Sequence, residues 1–512
     1  MQRISLVQSA LAVALLIVAG IVPVSLGEDG KDGESEGGPK LDPGKEGGEE
    51  PAKPAEPAEP PAFRLGEKDQ RKVEKALEKY LVPSKKSRAE NQKAIEKLIA
   101  KGFDGHSLLE DVPALEVIAN GSRVFGSKAG RKGAIVSVKV PPDVHGFPGG
   151  VGTVNYWLYL PKNYTDKKLW PVVFALPDTK AFPDTSRYLK DVWLKNSAAI
   201  RDGFIVAVPT PSAKGKRWRT DSKSYARAMI ALRHVLGTFE GHSKTAGPAS
   251  DYTRVFIDGQ DIAALLGARF SELFAGAILR GTDGTPGSIN LRKYGQLHGL
   301  PAYCIVDPGK KSQRTFAMLV KEGNEDSVVV ESADPIAADV ESVAKWMAAV
   351  PARTQPREIT YTLHDGSFQR HHWINVLAFD NTLKPPAGFT ASCDRVNNVV
   401  TIQSRGLQQF EVSLNDALVD LNRDVTVKVM DDDQELIAYQ GKAARDYSKV
   451  LTELIETNQP WRIYPVRISI DVPALRKSAA EAEAAAKAKA AAEKDVEEKG
   501  TSVGVTGGSL DR

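Results

Sequence analysis

Between residues 131 and 352, short apolar runs alternate with helix-length stretches, and no other feature of the chain limits its fold as tightly. The runs are Ala134 to Val140, Val154 to Leu160, Val172 to Leu176, Phe204 to Pro209, Val255 to Ile257, Gly276 to Leu279 and Ala302 to Val306. The later ones are apolar at nearly every position, not at every second one, as parallel strands covered on both faces must be. Helical spacing fills Tyr188 to Arg201, Ser224 to Phe239, Ile262 to Phe270 and Gln313 to Glu322. A further helix around Ala338 to Val350 places Trp346 on its apolar side. Repeats of this kind fold as an α/β domain built on a doubly wound, mostly parallel sheet.

The flanks have other textures. Arg3 precedes an apolar run from Ala10 to Val24 that ends in small residues, so residues 1–27 read as a secretory signal. The run is short for a membrane span of about 20 residues. Left uncleaved it would be an N-terminal membrane anchor; in either case the body is expected to be exported, to a periplasmic, secreted or envelope-associated location. Residues 28–62 contain almost no large apolar side chain and are expected to form a flexible tether. Residues 63–130 open with a helical hairpin, with Val73, Ala76, Leu77, Tyr80 and Leu81 on one face and Ala94, Ile95, Leu98 and Ile99 on another. It is expected either to stand as an accessory domain or to pack on the main one. Residues 356–473 break into short alternating strands, which predicts a small β-rich domain with a helix from about Asp446 to Thr457. The tail, 474–512, is rich in Ala, Glu and Lys, with helix propensity but little apolar face.

Composition excludes several classes of function. The formal net charge of the 512 residues is +3, which carries no nucleic-acid signature. The basic run Lys214 to Arg219 reads as a solvated loop. The two cysteines, Cys304 and Cys393, fall in different predicted domains and read as buried thiols, with a disulfide between them as the alternative. Without a CxxC or a Cys/His ligand cluster, neither a metal site nor a cofactor is expected. His371 and His372 would point to opposite faces of a strand, Asp431 to Asp433 lack EF-hand spacing, and His234 sits inside a helix as a packing residue.

One segment poses the functional question: "RVFIDGQDIAALLGARFSELFAGAILRG", Arg254 to Gly281. A short strand meets a tight turn, Gly259-Gln260-Asp261-Ile262-Ala263, and then an alanine-rich helix. This is the layout of a nucleophile elbow with Asp at the central position. "VNYWLYLPKNYTDKKLWPVVFALPD" (154–178), "DYTRVFIDGQD" (251–261) and "FAGAILRG" (274–281) together resemble the secreted esterase and depolymerase branch of the α/β-hydrolases, which is prolyl oligopeptidase-like.

That resemblance implies a nucleophile on the elbow, an imidazole base, an acid to orient it and backbone donors for an oxyanion. The nucleophile position holds Asp261. Ala263 stands where the family has Gly. Pro177-Asp178 stands at the start of the oxyanion loop, and Pro177 has no N–H. Asp307 is available as the acid. The loop expected to carry the base, Glu331 to Pro335, has no histidine, and none occurs between His298 and His364. His298 is the nearest substitute in chain order, although the loop before a strand belongs to the opposite end of the sheet. For Asp261 itself, the reading from the residues is a helix cap; the other reading is a carboxylate nucleophile, as in α/β-hydrolases acting on alkyl halides and epoxides. The chain is therefore expected to be a catalytically silent hydrolase-fold protein that binds a polysaccharide, a peptide or an envelope partner. The alternative is an active hydrolase using Asp261 or a site rearranged around Asp178, Asp258, His298 and Asp307.

Overall fold

The computed structural model describes residues 65–501 except 82–87, 103–107, 122–129, 143–150, 179, 212–217, 219–220, 238–246, 286–290, 292–295, 338, 353–354, 364–369, 385, 432–433, 458 and 460–462. The signal-like segment, the tether and the last eleven residues, 502–512, lie outside the described residues, as does most of the basic run. Among the described residues no helix is long and apolar enough to cross a membrane.

The centre is an eight-stranded sheet: β1 (Ile135–Val140), β2 (Val154–Tyr159), β3 (Trp170–Leu176), β4 (Ile205–Pro209), β5 (Ser250–Gly259), β6 (Gly276–Arg280), β7 (Ala302–Val306) and β8 (Val328–Glu331). Their spatial order is β1-β2-β4-β3-β5-β6-β7-β8. The pairings of β2 with β1 and β4 are antiparallel, and those from β4 through β8 are parallel. β4, β6 and β7 are buried at every position, which accounts for their unbroken apolar sequences. The exchanged order of β3 and β4, the antiparallel β2 and the helices on both faces make this an α/β-hydrolase-like fold.

One face is covered by α6 (Ser222–Val235), α7 (Asp261–Arg269) and α8 (Lys311–Gly323). The other is covered by α4 (Thr185–Arg187), the π-helical stretch Tyr188–Leu194 that continues it, α5 (Ala198–Gly203) and α9 (Val340–Ala349). Along β5 the two sides are read off directly: Val255 and Ile257 join the first core, Phe256 the second. His234 is a core residue, its Nδ1 2.8 Å from the Tyr156 hydroxyl.

The C-terminal domain is a β-sandwich. Its strands are β9 (Glu358–Thr362), β10 (Arg370–His371), β11 (Ile374–Phe379), β12 (Gly388–Asp394), β13 (Val399–Arg405), β14 (Leu407–Leu414), β15 (Asp424–Asp431), β16 (Gln434–Lys442) and β17 (Val466–Asp471). One sheet runs β10-β11-β14-β17 and the other β16-β15-β13-β12-β9. A single apolar core lies between them, with Trp373, Phe410, Val400 and Val427 at its centre. Asp431 of β15 (Asp424–Asp431) is buried and ion-paired with Arg476, so it is held by a cation of the chain itself. Cys304 and Cys393 are unpaired, one in each core, and burial pushes both thiols up to about 12.

The N-terminal helices, α1 (Glu67–Leu81), α2 (Arg88–Lys101) and α3 (Val112–Gly121), belong with the sandwich. Val73, Leu77, Ile95, Leu115 and Ile118 form one cluster with Val450, Leu451 and Leu454 of α10 (Tyr447–Thr457). Chain order thus places the α/β domain between two pieces of one neighbouring body. The sandwich meets the α/β domain at the 3-10 turns Ser271–Leu273 and Gln296–Gly299: the Glu272 carboxylate accepts the His372 N–H at 2.7 Å, and β9 lies against the second turn. Both turns precede strands, so the contact is at the N-terminal ends of β6 and β7. The sheet's C-terminal ends, where open α/β sheets hold their ligands, face away from it.

Candidate functional site

The sharp bend lies between β5 and α7. Gly259 has φ +146°, and a Cβ there would run into the Leu176 carbonyl and sit 3.1 Å from the Ala263 Cβ. Only glycine lets β3 and the start of α7 come this close. Gln260 occupies the position before the helix with φ −100°, and Asp261 is the first helical residue. The only non-glycine residues with positive φ among those described are His372 and Asn398. The strain that a nucleophile elbow concentrates on its nucleophile is therefore not on Asp261 here; the turn's unusual backbone is carried by Gly259.

The carboxylate of Asp261 does not act as a cap. Oδ1 accepts the Thr282 hydroxyl at 2.7 Å, across to the end of β6, and Gln260 makes no side-chain cap bond. The helix dipole still favours an anion at this first turn. Asp261 is exposed on one side at the mouth of the bend, yet its wider surroundings are protein. That partial desolvation raises its pKa; the Thr282 bond works against the rise, and the neighbouring carboxylates of Asp283 and Asp178 add to it. Those two neighbours are held in local turns: Asp283 accepts the Thr285 N–H at 2.9 Å and Asp178 the Lys180 N–H at 2.8 Å. The bend is thus ringed by three carboxylates, and none of the groups that shift Asp261 is an imidazole.

Asp307 stands at the C-terminal end of β7, the correct end of the sheet, but its carboxylate is turned onto the Gly309 N–H at 2.8 Å. His298 lies in the turn before β7, and the neighbouring Leu297 and Leu300 lie against Gly267 near the far end of α7. Its backbone is therefore at the other end of the sheet from Asp261, and the structure does not bring the three residues Asp261, Asp307 and His298 together. The segment after β8, where a base would be sought, is fastened down. Ser332 N–H bonds Val306 O at 2.9 Å, and Asp334 accepts the N–H groups of Ile336 and Ala337 at 3.1 and 3.2 Å.

Asp258, offered above as part of a rearranged site, has no access to the bend at Asp261. It is fully buried on the opposite face of the sheet, where Oδ1 meets Arg280 Nε at 2.6 Å and Oδ2 accepts from the Tyr188 hydroxyl at 2.6 Å and Trp193 Nε1 at 3.1 Å. Arg280, 1% exposed, also donates to the Ile336 carbonyl at 3.0 Å, so one buried guanidinium ties β5, β6 and the segment after β8 together. Thr282 and Arg280 escaped the sequence reading. Arg280 had a signal, a lone cation ending the apolar strand "GAILR" beside the lone anion in "VFIDG".

No protein-family model matches the chain, and no curated protein matches it by sequence. Solved structures with a similar fold include a thermostable esterase, at 17% identity and TM-score 0.31 over 43% of this chain and 63% of its own. A ferulic acid esterase is similar at 11% identity and TM-score 0.29, over 43% of this chain and 99% of its own. An S-formylglutathione hydrolase from Staphylococcus aureus has the same identity and score, over 43% and 98%. This chain thus spans a little under two thirds of the length of the first of these. The α/β-hydrolase-like architecture itself rests on the strand order and the strand-to-helix bend described above.

The environment of Asp261 has a direct consequence for stability. Its pKa in the folded chain lies above the ordinary 3.8. Such a group contributes fully to stability below its unfolded pKa, and the contribution is lost as pH rises through the folded value. Asp261→Asn keeps an acceptor for Thr282 and removes the charge. It is expected to raise stability at pH 7 to 8 by under about 1 kcal/mol, because the group is partly solvated, seen as a slightly higher Tm, and to lose that advantage below about pH 4. Thermal melts of both proteins from pH 3 to 8 check this; a wild type more stable than the variant at pH 8 contradicts it.

Proposed function

We propose that this chain is an exported α/β-hydrolase-fold protein that binds at its cleft and does not catalyse acyl transfer there. The observation that carries this reading is the environment of Asp261: a carboxylate at the nucleophile's place, engaged by Thr282 and crowded by Asp283 and Asp178. A serine-type mechanism needs an imidazole to take the nucleophile's proton, and the segment from Glu331 to Asp339 contains no histidine. Developing negative charge would meet carboxylates where an oxyanion hole needs donors. A carboxylate nucleophile would still need an imidazole to activate the water that cleaves its ester intermediate, and the same segment supplies none. The ligand we propose is a polysaccharide, a peptide or an envelope partner. It would engage the cleft independently of the β-sandwich, which docks at the opposite end of the sheet. The apolar run near the N-terminus supports export of the body.

The test is a panel of p-nitrophenyl esters, peptide amides, alkyl halides and epoxides assayed against the full chain and Asp261→Ala. Equal, background-level rates are expected. Turnover well above background that disappears in the variant would replace this reading with an active hydrolase of the ester, peptide or carbon–halogen and epoxide type, using Asp261 or a rearranged site.

A further inference from the structure

The last helix, α11 (Val472–Thr501), has two unlike parts. Its first two turns are fixed to the sandwich. The Asp471 carboxylate accepts the Ala474 N–H at 2.9 Å, Leu475 and Ala479 pack against the sandwich core, and Arg476 pairs with Asp431. Pro473 in the first turn costs no intrahelical hydrogen bond. From Ala480 to Lys494 every residue is exposed, and none of these side chains is apolar and larger than alanine.

A helix with no apolar stripe has nothing to bury against another surface, so tertiary packing cannot be what keeps this part helical. Its own sequence supplies the reason. Alanine has the highest helix propensity, and ion pairs one turn apart join Lys477 to Glu481 at 4.0 Å, Glu483 to Lys487 at 2.6 Å and Lys489 to Glu493 at 4.0 Å. The pairing of Lys487 also lowers the Glu483 pKa. Alternating blocks of Glu, Ala and Lys behave as semi-rigid spacers in solution.

We infer that α11 is a stiff spacer, clamped at one end by the sandwich and free on all sides from Ala480 to Lys494. It holds whatever is joined near Thr501 roughly 30 Å from the body, at about 1.5 Å of rise per residue. It is not a docking helix, because Ala480 to Lys494 offers no seam to a partner or a second copy.

The full chain is tested with spin labels placed on Lys477→Cys and Lys494→Cys; the native thiols are buried. The expected result is a narrow distance distribution near 25 Å, the helical span of those positions. A coil of that length would give a broad distribution with a similar mean. Replacing Ala484, Ala485 and Ala486 with glycine should broaden the narrow distribution severalfold. Single labels at Ala488, Lys489, Ala490 and Ala491 should be equally accessible to a soluble relaxation agent. A broad distribution in the parent pair, an accessibility pattern that repeats every three to four residues, or a second distance that grows with protein concentration would each defeat the proposal.

Discussion

Replacing Asp258 with alanine is expected to cost the α/β domain about 3–5 kcal/mol, the penalty for leaving one member of a buried ion pair without its partner. The residue is fully buried and holds Arg280, Tyr188 and Trp193 at once. Its removal leaves a guanidinium that is 1% exposed facing apolar side chains and two donors without an acceptor. Arg280→Met should cost less, because Tyr188 and Trp193 can still donate to the remaining carboxylate. It also releases the Ile336 carbonyl and hence the segment after β8. The double variant Asp258→Leu/Arg280→Met should recover most of the loss, since buried pairs are often no better than well-packed apolar residues of similar size. Thermal or denaturant melts of the wild type, Asp258→Leu, Arg280→Met and the double variant form a double-mutant cycle, and beside it the Asp258→Ala loss should appear as a Tm drop on the order of 10 °C. Additive single losses, or a melting point unchanged in Arg280→Met, would show that the pair is not what anchors this side of the sheet.

The same pair marks where sequence reading reaches its limit. Continuous apolar runs placed β3, β4, β6 and β7 within a residue or two of their observed bounds, because a strand buried on both faces leaves no polar position to blur the pattern; β5 begins at Ser250, five residues before the run read at Val255, because its first residues are mostly polar. The Asp at the bend was equally plain. Its partner was not: Thr282 lies 21 positions away and reaches Asp261 only because β5 and β6 pair in parallel. For the same reason Asp261 read as a helix cap, a role that depends on a rotamer and not on a residue type. β16 (Gln434–Lys442) was missed because, at one edge of its sheet, it keeps only Leu436 fully buried and so shows little alternation. α3 was missed too, and with it the fact that the N-terminal helices complete a core with α10. Contacts between segments more than three hundred residues apart leave no local periodicity to read.

The site's geometry depends most on a single hydrogen atom at Gly259. Gly259→Ala is expected to destabilise the α/β domain by on the order of 3 kcal/mol, combining an unfavourable backbone conformation with overpacking. The added Cβ would collide with the Leu176 carbonyl, which belongs to the adjacent strand and cannot rotate away, and would press on Ala263. Relief requires the end of β3 or the start of α7 to move, which separates Asp178 from Asp261 and disturbs the bend as well as the fold. Gly203→Ala supplies the control: nothing lies within 4 Å of its added Cβ, and the change should stay within about 0.5 kcal/mol. A second variant separates backbone from side-chain causes. Gly259→Ala combined with Ala263→Gly removes the methyl contact but leaves the carbonyl collision and the φ of +146°. It should therefore regain less than about 1 kcal/mol, a single methylene's worth of packing. Denaturant midpoints of these variants decide the matter: full rescue by Ala263→Gly would mean that side-chain crowding, and not the path of the backbone, demands glycine at the bend.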